Sequence, residues 1–338
     1  MRSIKFLIPG FYQDLPKRAS FRFRALIPLK GMRPYKDGVI SSVQEAKPND
    51  LVVLAKKSTP KDLFYLKSNN IKCVYDICDN KWRKYVSPSW VKRVIDPHNV
   101  MCKNADALIT TCVNMQSLIS KHIGRNSIII TDPVEAEKKK PKVALKKRRY
   151  IRIFTYGNSK HFNKVQWSLF INKMFDSEIE FKITAMLDRS KRFKEMYPSE
   201  IESGRLTIEE FDFIRQYELM DQCDVVFLPI ICNSMENLID MKAKSPNRIM
   251  DAIYSGKPVV SNYGVESYNP FSQFADFGGN ARRIDYDEWI QCFRNLINRP
   301  KEETIKRIEL GQKYIDNNHT PQIIGKQWID LINKVGKI

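Results

Sequence analysis

A short segment in the second half of the chain groups residues that could bind a phosphate. Ser245 precedes Pro246, a residue favoured in the first turn of a helix, and Lys244 and Arg248 flank this start. The pattern predicts a helix that Ser245 caps, with free backbone N–H groups and two cations at its N-terminus. Asp251 lies less than two turns further on, within reach of a sugar hydroxyl if a nucleotide phosphate sits at the cap. Taken alone, the same residues also fit an ordinary capped surface helix.

Two kinds of side chain in the first half could move protons. Asp76 and Asp79 stand at the end of a strand-like run, where a parallel sheet collects catalytic groups, and Asp79 lies further into the loop. Either aspartate could instead cap the helix that follows. His98 is a second candidate base, although the four histidines lack metal-type spacing and such residues are more often in the core or on the surface. The sequence therefore predicts no metal site.

Arginines alternate with aromatic residues near the start of the chain. In the run Phe-Arg-Phe-Arg at 21–24, an extended backbone would point Arg22 and Arg24 to the same side. The pair then predicts an anion-binding edge, and a solvated basic edge fits nearly as well.

A second basic and aromatic cluster begins with Lys81, Trp82 and Arg83. Trp90, Lys92 and Arg93 follow it closely. Interleaved aromatic and cationic side chains suit a lipid interface and equally suit nucleic acid, including a flipped base. The alternative is a surface helix whose tryptophans are buried in the core.

Short apolar runs alternate with helical stretches along the chain, which is the pattern of a parallel α/β sheet. The predicted strands are 4–8, 51–55, 73–77, 107–109 and 128–130, followed by 151–156, 179–186, 225–230 and 258–261. The predicted helices include 61–68, 114–122 and 247–254, which Gly256 closes, and a helical region from 302 onward that breaks near 317–321. Two α/β domains would bind a ligand in the cleft between them.

The excess positive charge lies in the first half of the chain. The 338 residues carry 57 Lys and Arg and 38 Asp and Glu, a net charge of +19. Residues 1–150 hold 31 Lys and Arg against 12 Asp and Glu, whereas residues 151–338 hold 26 of each. Eight of the cations fall within residues 138–149. We therefore expect the first domain to meet an anionic partner.

The composition, 43% hydrophobic and 28% charged, excludes disordered and fibrous classes. Apolar runs fall short of the ~18 residues that span a bilayer, and the first residues show no signal-peptide pattern. The seven scattered cysteines predict reduced thiols. We expect a cytoplasmic protein, free or peripheral on the inner membrane face, and in the host cytoplasm if the chain is viral.

Five segments, taken in order, resemble the GT-B glycosyltransferases. Asp251-Ala252, Gly256 and Pro258-Val259-Val260 match the family's C-terminal donor-binding signature, in which an acidic residue binds the nucleotide ribose. Residues 153–158, with Gly157 and Asn158, are similar to the first strand and glycine turn of the second domain. Residues 221–229 resemble the strand that leads into the donor loop of the family. Residues 19–28 resemble a Ser-x-Arg-x-Arg stretch that follows the first strand, and residues 104–111 resemble a late strand of the first domain.

This resemblance implies two Rossmann-like domains facing a central cleft. The implied N-terminal acceptor domain spans 1–137, a basic linker 138–150, and the C-terminal donor domain 151–300, with helices over 301–338 packing back toward the first domain. The implied donor is a nucleotide sugar of the UDP or GDP type, with no further cofactor and no metal. Its implied contacts are Gly157, Asn158, Lys244, Ser245, Asn247, Arg248 and Asp251.

One position departs from the family pattern. Many retaining members carry Glu-x7-Glu, but Ala243, flanked by Lys242 and Lys244, stands eight residues before Asp251. The missing acid leaves the donor sugar and the stereochemistry open. Lysines there would suit the diphosphate or an acidic group on the donor.

Glycosyl transfer requires neutralisation of the leaving diphosphate and deprotonation of the acceptor hydroxyl. We predict that Lys244, Arg248 and either Arg22 or Arg24 contribute to the first task. Asp79 or His98 is predicted to perform the second. The residues predicted to hold the acceptor are Arg22, Lys81, Trp82 and Arg83.

The basic domain fits two acceptors. A cell-envelope or lipid-linked glycan would place it on anionic lipid, at ~1 kcal/mol per cation near the surface. A hydroxymethylated base in DNA, as in phage enzymes, would use the same cations against phosphates. We favour the glycan. A non-enzymatic nucleic-acid-binding protein and an inactive GT-B scaffold are further alternatives, and the oligomeric state stays open.

Overall fold

The computed structural model divides the chain into two compact units. It describes residues 3–8, 19–32, 38–55, 57–82, 86–145, 150–157, 164–188, 190–232, 234–281 and 285–335. Unit 1 comprises Met1–Glu135, Ala243–Ser245 and Asn317–Ile338, and unit 2 comprises Ala136–Lys242 and Pro246–Asp316. None of the helices in these ranges is both long enough and apolar enough to span a membrane.

Unit 1 contains a six-stranded parallel sheet in the order β2-β1-β3-β4-β5-β6. The strands are β1 (Ile4–Leu7), β2 (Val39–Ile40), β3 (Leu51–Leu54), β4 (Lys72–Ile77), β5 (Ala107–Thr110) and β6 (Ile128–Ile129). All four residues of β3 are buried, as expected for a parallel strand covered on both faces. The polar residues that follow β4, β5 and β6 therefore come together at one edge of the sheet.

The helices of unit 1 include two π-helical turns. The helical segments are α1 (Ala19–Phe21), a π-helical turn Arg22–Leu26, α2 (Ile27–Gly31), α3 (Pro60–Ser68), α4 (Pro88–Trp90), a π-helical turn Val91–Ile95, α5 (Asp96–Asn104) and α6 (Val113–Ile123). A capping box starts α3, because the Thr59 hydroxyl accepts from the Asp62 N–H while the Asp62 carboxylate accepts from the Thr59 N–H. Gly124 ends α6 with φ +73°, a conformation that favours glycine.

Unit 2 contains a second six-stranded parallel sheet, in the order β12-β11-β10-β7-β8-β9. The strands are β7 (Ile151–Gly157), β8 (Phe181–Leu187), β9 (Leu206–Glu210), β10 (Val225–Phe227), β11 (Val259–Tyr263) and β12 (Asp276–Asn280). Counted from its first strand, this is the Rossmann order 3-2-1-4-5-6, which reverses direction between β7 and β10. Ligands of such sheets bind beyond the carboxyl ends of the strands at the reversal.

The helices of unit 2 surround a core rich in aromatic residues. They are α7 (Lys164–Asp176), α8 (Ser190–Lys194), α9 (Pro198–Glu202), α10 (Phe213–Gln222), α11 (Met235–Lys242), α12 (Asn247–Tyr254), α13 (Tyr286–Asn298) and α14 (Lys301–Asn318). Trp167, Phe170, Phe227, Trp289 and Phe293 are each at most 1% exposed and pack in one cluster. The last helix, α15 (Pro321–Val335), belongs to unit 1, where Gly31 and Gly325 let α2 and α15 approach at backbone distance.

The two parallel sheets confirm the α/β class that the sequence predicts. All nine predicted strands are present within a few residues, and the predicted helix 247–254 matches α12. Prediction missed β2, β9 and β12. Strand β2 has only two residues, which is too short to stand out as an apolar run. Three of the five residues of β9 are polar, and β12 has the sequence DFGGN, so neither shows an apolar run.

The described part of the predicted linker packs against unit 2. The Lys139 N–H donates to the Tyr254 carbonyl at 2.9 Å, and the Lys142 N–H donates to the Gly256 carbonyl at 3.2 Å. Gly256 has φ +73°, and a Cβ there would lie 2.7 Å from the Lys140 carbonyl oxygen. Leu145 is buried in the core of unit 2. The glycine predicted to close α12 therefore also makes room for this segment.

Candidate functional site

The carboxyl edge of the unit 2 sheet holds an arginine against a glycine. Gly157 is the last residue of β7, and its φ of +143° is accessible to glycine but not readily to other residues. A Cβ at Gly157 would lie 2.7 Å from Nη1 of Arg248, in the first turn of α12. The bare backbone of Gly157 therefore leaves space for the Arg248 guanidinium at the end of β7.

Two hydrogen bonds fix Arg248 beside this strand. Its Nη1 donates to the Tyr156 carbonyl at 3.0 Å, and the Tyr156 hydroxyl donates to the Arg248 carbonyl at 3.2 Å. A guanidinium presents five N–H donors, and the bond to the Tyr156 carbonyl uses one of them. This is a suitable position for binding a phosphate group.

The start of α12 differs from the sequence prediction at Ser245. Pro246, not Ser245, occupies the N-cap position, and it provides no side-chain cap hydrogen bond. Its φ of −80° and ψ of 20° already turn the chain into the helix, which displaces Ser245 by one position from the capping site. Asn247 and Arg248 are the first two helical residues, both partly exposed. The backbone N–H groups of this turn carry the positive end of the helix dipole.

Asp251 has a structural role that the sequence did not predict. It is 3% exposed, and its carboxylate accepts from the Ala136 N–H at 3.0 Å and from the Tyr217 hydroxyl at 3.4 Å. It therefore joins α12 to α10 and to the segment that enters unit 2. A ribose at this carboxylate would have to share it with these two donors.

Two further contacts order loops at the same edge, and neither was predicted. Asn262, fully buried in β11, accepts from the Ile230 N–H at 2.8 Å and donates to the Ile230 carbonyl at 3.0 Å. These bonds fix the loop that follows β10. After β8, Ser190 donates through its N–H and hydroxyl to the Glu210 carboxylate at 3.1 and 2.5 Å. The sequence signal that could have indicated these contacts is the presence of polar residues, Glu210 and Asn262, near the ends of β9 and β11.

In unit 1, the predicted base Asp79 forms an ion pair with the predicted donor ligand Lys244. The carboxylate is 18% exposed and the ammonium 45% exposed. Ala243, at the place of the family's first acid, is buried among the apolar residues of unit 1. This packing explains why an alanine suits the position. Asp79 and Lys244 can act on a ligand only if the pair separates or the ligand binds to both.

The arginine pair of residues 21–24 lies on a helix, which corrects the extended segment expected from the sequence. All four residues are buried, because a π-helical turn directs Phe21 and Phe23 into the core and both guanidinium groups onto carboxylates. Arg22 forms a bidentate pair with Glu135 at 2.6 and 3.0 Å. The charge of Arg22 is therefore used within the protein.

Arg24 is the centre of a buried charge cluster. It binds Asp76 at 2.7 and 2.9 Å, Asp132 at 2.9 Å and the Ile130 carbonyl at 2.6 Å. Burial opposes the charged form of Arg24, but the two carboxylates raise its pKa overall. Burial raises the pKa of Asp76, and Arg24 acts against that shift. The cluster joins β4, the segment after β6 and the helix of residues 19–31, so Arg24 holds these three elements together.

His98 and Trp82 belong to the core and not to an exposed site. His98 is 5% exposed, and its ring nitrogens contact the Tyr75 hydroxyl at 2.9 Å and Cys102 Sγ at 3.7 Å. Burial, assisted by the positive charge of Lys81, lowers the pKa of His98 to about 4. The structure therefore does not support His98 as the catalytic base.

Trp82 is 9% exposed, and its indole N–H donates to Asn99 Oδ1 at 2.9 Å. Its ring stacks on His122 with 5.1 Å between centroids. Core packing thus accounts for Trp82, whereas Lys81 beside it is partly exposed. Asn158 and Arg83 lie outside the described residues. The described residues contain no group of three or more His, Cys, Asp or Glu side chains suited to a metal.

Known structures share this architecture at low sequence identity. HepE of Anabaena, solved in complex with UDP, is 15% identical over 98% of this chain and all of that chain, with a TM-score of 0.69. A glycosyltransferase from Rickettsia africae is 10% identical over 99% of both chains, with a TM-score of 0.68. The chain thus has the GT-B fold, two Rossmann-like units in one polypeptide.

One curated protein matches over a shorter stretch. The protein named Putative glycosyltransferase ORF31, from the virus isolate Australia/Victoria, is 32% identical over 92 residues. That match spans 27% of this chain and 26% of the viral protein. No family model matches the chain.

Proposed function

We propose that the protein is a glycosyltransferase that takes a hexosyl or pentosyl group from a nucleotide sugar to an acceptor hydroxyl. The observation that carries the proposal is the placement of Arg248 against Gly157 beside the strand-order reversal of unit 2. This is the edge where Rossmann sheets bind nucleotides. HepE, a neighbour in fold, was solved with UDP, which supports a UDP- or GDP-type donor.

In this proposal the diphosphate binds beside Gly157. Arg248 supplies charge-assisted hydrogen bonds, and the first backbone N–H groups of α12 supply further donors. The same groups stabilise the negative charge that develops on the diphosphate as the glycosidic bond breaks. Asn158, Lys244, Ser245, Asn247 and Asp251 stay predicted donor ligands.

We place the acceptor on unit 1 because of its charge. Unit 1 holds 27 Lys and Arg against 12 Asp and Glu, a net charge of +15, whereas unit 2 holds 30 against 26. Lys92 and Arg93 are exposed on the helical stretch of residues 88–104. They suit an anionic membrane surface that displays a lipid-linked or envelope glycan. Asp79 is the proposed base, released from Lys244 when the acceptor binds.

The fold favours an enzyme over a non-enzymatic nucleic-acid-binding protein. No observation on unit 1 specifically favours a DNA acceptor, because its cations would attract lipid and nucleic acid phosphates alike. The acceptor experiment therefore includes both anionic vesicles and hydroxymethylated DNA.

The donor is tested by a thermal-shift screen of UDP-, GDP- and CMP-sugars, followed by measurement of nucleoside diphosphate release. A bound donor raises the unfolding temperature by mass action. We expect a hit that Arg248→Ala abolishes and that Arg294→Ala, which removes an exposed arginine on α13, leaves intact. A screen in which no nucleotide or nucleotide sugar binds contradicts the proposal.

The acceptor side is tested by sedimentation with anionic and neutral vesicles. Lys92→Ala with Arg93→Ala should weaken binding to anionic vesicles by about tenfold or more, at ~1 kcal/mol per cation. Equal binding of the double variant and the wild type, or sugar transfer to hydroxymethylated DNA alone, would contradict the membrane acceptor.

A further inference from the structure

A cavity of about 160 Å³ opens in unit 2 at the edge of the sheet opposite Gly157. Its polar lining consists mainly of Tyr150, Arg152, Lys182, Thr184, Thr207 and Gln222. Arg152, Lys182 and Thr207 are each the second residue of their strands, β7, β8 and β9. The cavity therefore lies at the amino ends of these strands, away from the proposed donor edge.

The strand register brings the polar side chains onto one face of the sheet. Arg152 pairs with Lys182, and Thr184 pairs with Thr207. Side chains alternate between faces along a strand, so Lys182 and Thr184 share a face, and their partners share it with them. The end of α10 adds Leu219 and Gln222 to the wall. The cavity is thus built from three strands and a helix and not from a loop.

The charge of the lining is positive. None of the described residues that line the cavity is acidic. Arg152 pairs with Asp224, at 3.2 Å through Nε and 2.9 Å through Nη2. Among the described residues no carboxylate forms an ion pair with Lys182, whose ammonium lies 4.3 Å from the centroid of the Tyr150 ring. Within the described part of the chain, a ligand at the mouth of the cavity therefore meets an ammonium group that forms no ion pair with a carboxylate.

We propose that this cavity is a second ligand site, specific for the phosphate group of a small phosphomonoester. Lys182 supplies the charge, the hydroxyls of Thr184 and Thr207 and the amide of Gln222 supply donors, and Tyr150 and Leu219 pack against the carbon portion. A cavity of about 150 Å³ accommodates a molecule of the size of benzene, so this one holds a phosphate and a few further atoms. A nucleotide sugar is too large for it. The site does not depend on the proposed glycosyltransferase function.

The test is calorimetric titration of the full chain with inorganic phosphate and with glycerol 3-phosphate, with glycerol as the uncharged control. Both phosphates should bind and glycerol should not. Lys182→Ala should weaken phosphate binding by about tenfold or more, because a charge-assisted hydrogen bond is lost. Thr184→Val with Thr207→Val should weaken it as well. Lys306→Ala, which removes an exposed lysine on α14, should leave it unchanged.

Competition distinguishes this cavity from the donor edge. Phosphate binding that persists in the presence of saturating UDP and in Arg248→Ala supports a second site. The proposal is overturned if no phosphate binds, if Lys182→Ala binds as the wild type does, or if UDP displaces the phosphate completely.

Discussion

Replacement of Gly157 by alanine should damage both the stability of unit 2 and the proposed donor site. At φ +143° a residue with a Cβ costs about 1–3 kcal/mol. The new Cβ would also lie 2.7 Å from Arg248 Nη1, so the guanidinium must move and lose its 3.0 Å bond to the Tyr156 carbonyl. That bond contributes about 1–2 kcal/mol. Together, the two effects should lower the free energy of unfolding by about 2–5 kcal/mol.

The same displacement should weaken nucleotide binding. Loss of a charge-assisted contact to a phosphate corresponds to about a tenfold to hundredfold rise in the dissociation constant. The assays are urea unfolding and calorimetric titration with UDP. Gly204→Ala is the matched control, because Gly204 also has positive φ, +67°, but no atom within 4 Å of its added Cβ. It should cost about 1–2 kcal/mol and leave UDP affinity unchanged. Equal UDP affinity in Gly157→Ala and wild type would refute the reasoning.

Three further predictions concern other parts of the molecule. Arg24→Met should lower the free energy of unfolding by about 3–5 kcal/mol in urea denaturation, because it removes the guanidinium that pairs with two buried carboxylates, and unchanged stability would contradict the cluster. Asn262→Ala should raise KM for the donor more than it lowers kcat, since it frees the loop after β10, whereas a kcat effect alone would count against this role. The pKa of His98 is lowered to about 4 from an ordinary 6.5, so the unfolded chain binds the proton more tightly and stability falls as the pH drops from about 6.5 to 4. That loss should reach about 3 kcal/mol at pH 4 and below, and His98→Asn should show a correspondingly shallower acid dependence in pH-resolved unfolding.

The fold could be predicted from the sequence because buried parallel strands are apolar at nearly every position. Runs such as β3, buried at all four residues, are visible without any tertiary information. The strict alternation of the Phe-Arg-Phe-Arg run predicts an extended strand, and this prediction is wrong because the run is helical. In the structure the phenylalanines and the arginines of that run are all buried. The arginines can be buried because they pair with carboxylates that are distant in the sequence, so the run itself does not encode this arrangement.

The candidate site was only partly predictable. Gly157 and Arg248 carry local signals, a glycine at a strand end and a cation at a helix start. The partners of other residues are far away in the sequence: Arg24 binds a carboxylate 108 positions later, and Asp251 binds an amide 115 positions earlier. No local pattern encodes such pairs, so Asp251 and Arg24 could be recognised as important but not as structural.

The central claim is that a nucleotide sugar binds at the carboxyl edge of the unit 2 sheet. Hydrogen–deuterium exchange of the full chain, with and without the donor that scores in the screen, tests it most directly. The account predicts slower exchange at the backbone N–H groups of Gly157 and the first turn of α12, and no such protection in Arg248→Ala. Protection confined to unit 1, or to the cavity at the opposite edge of unit 2, would contradict it.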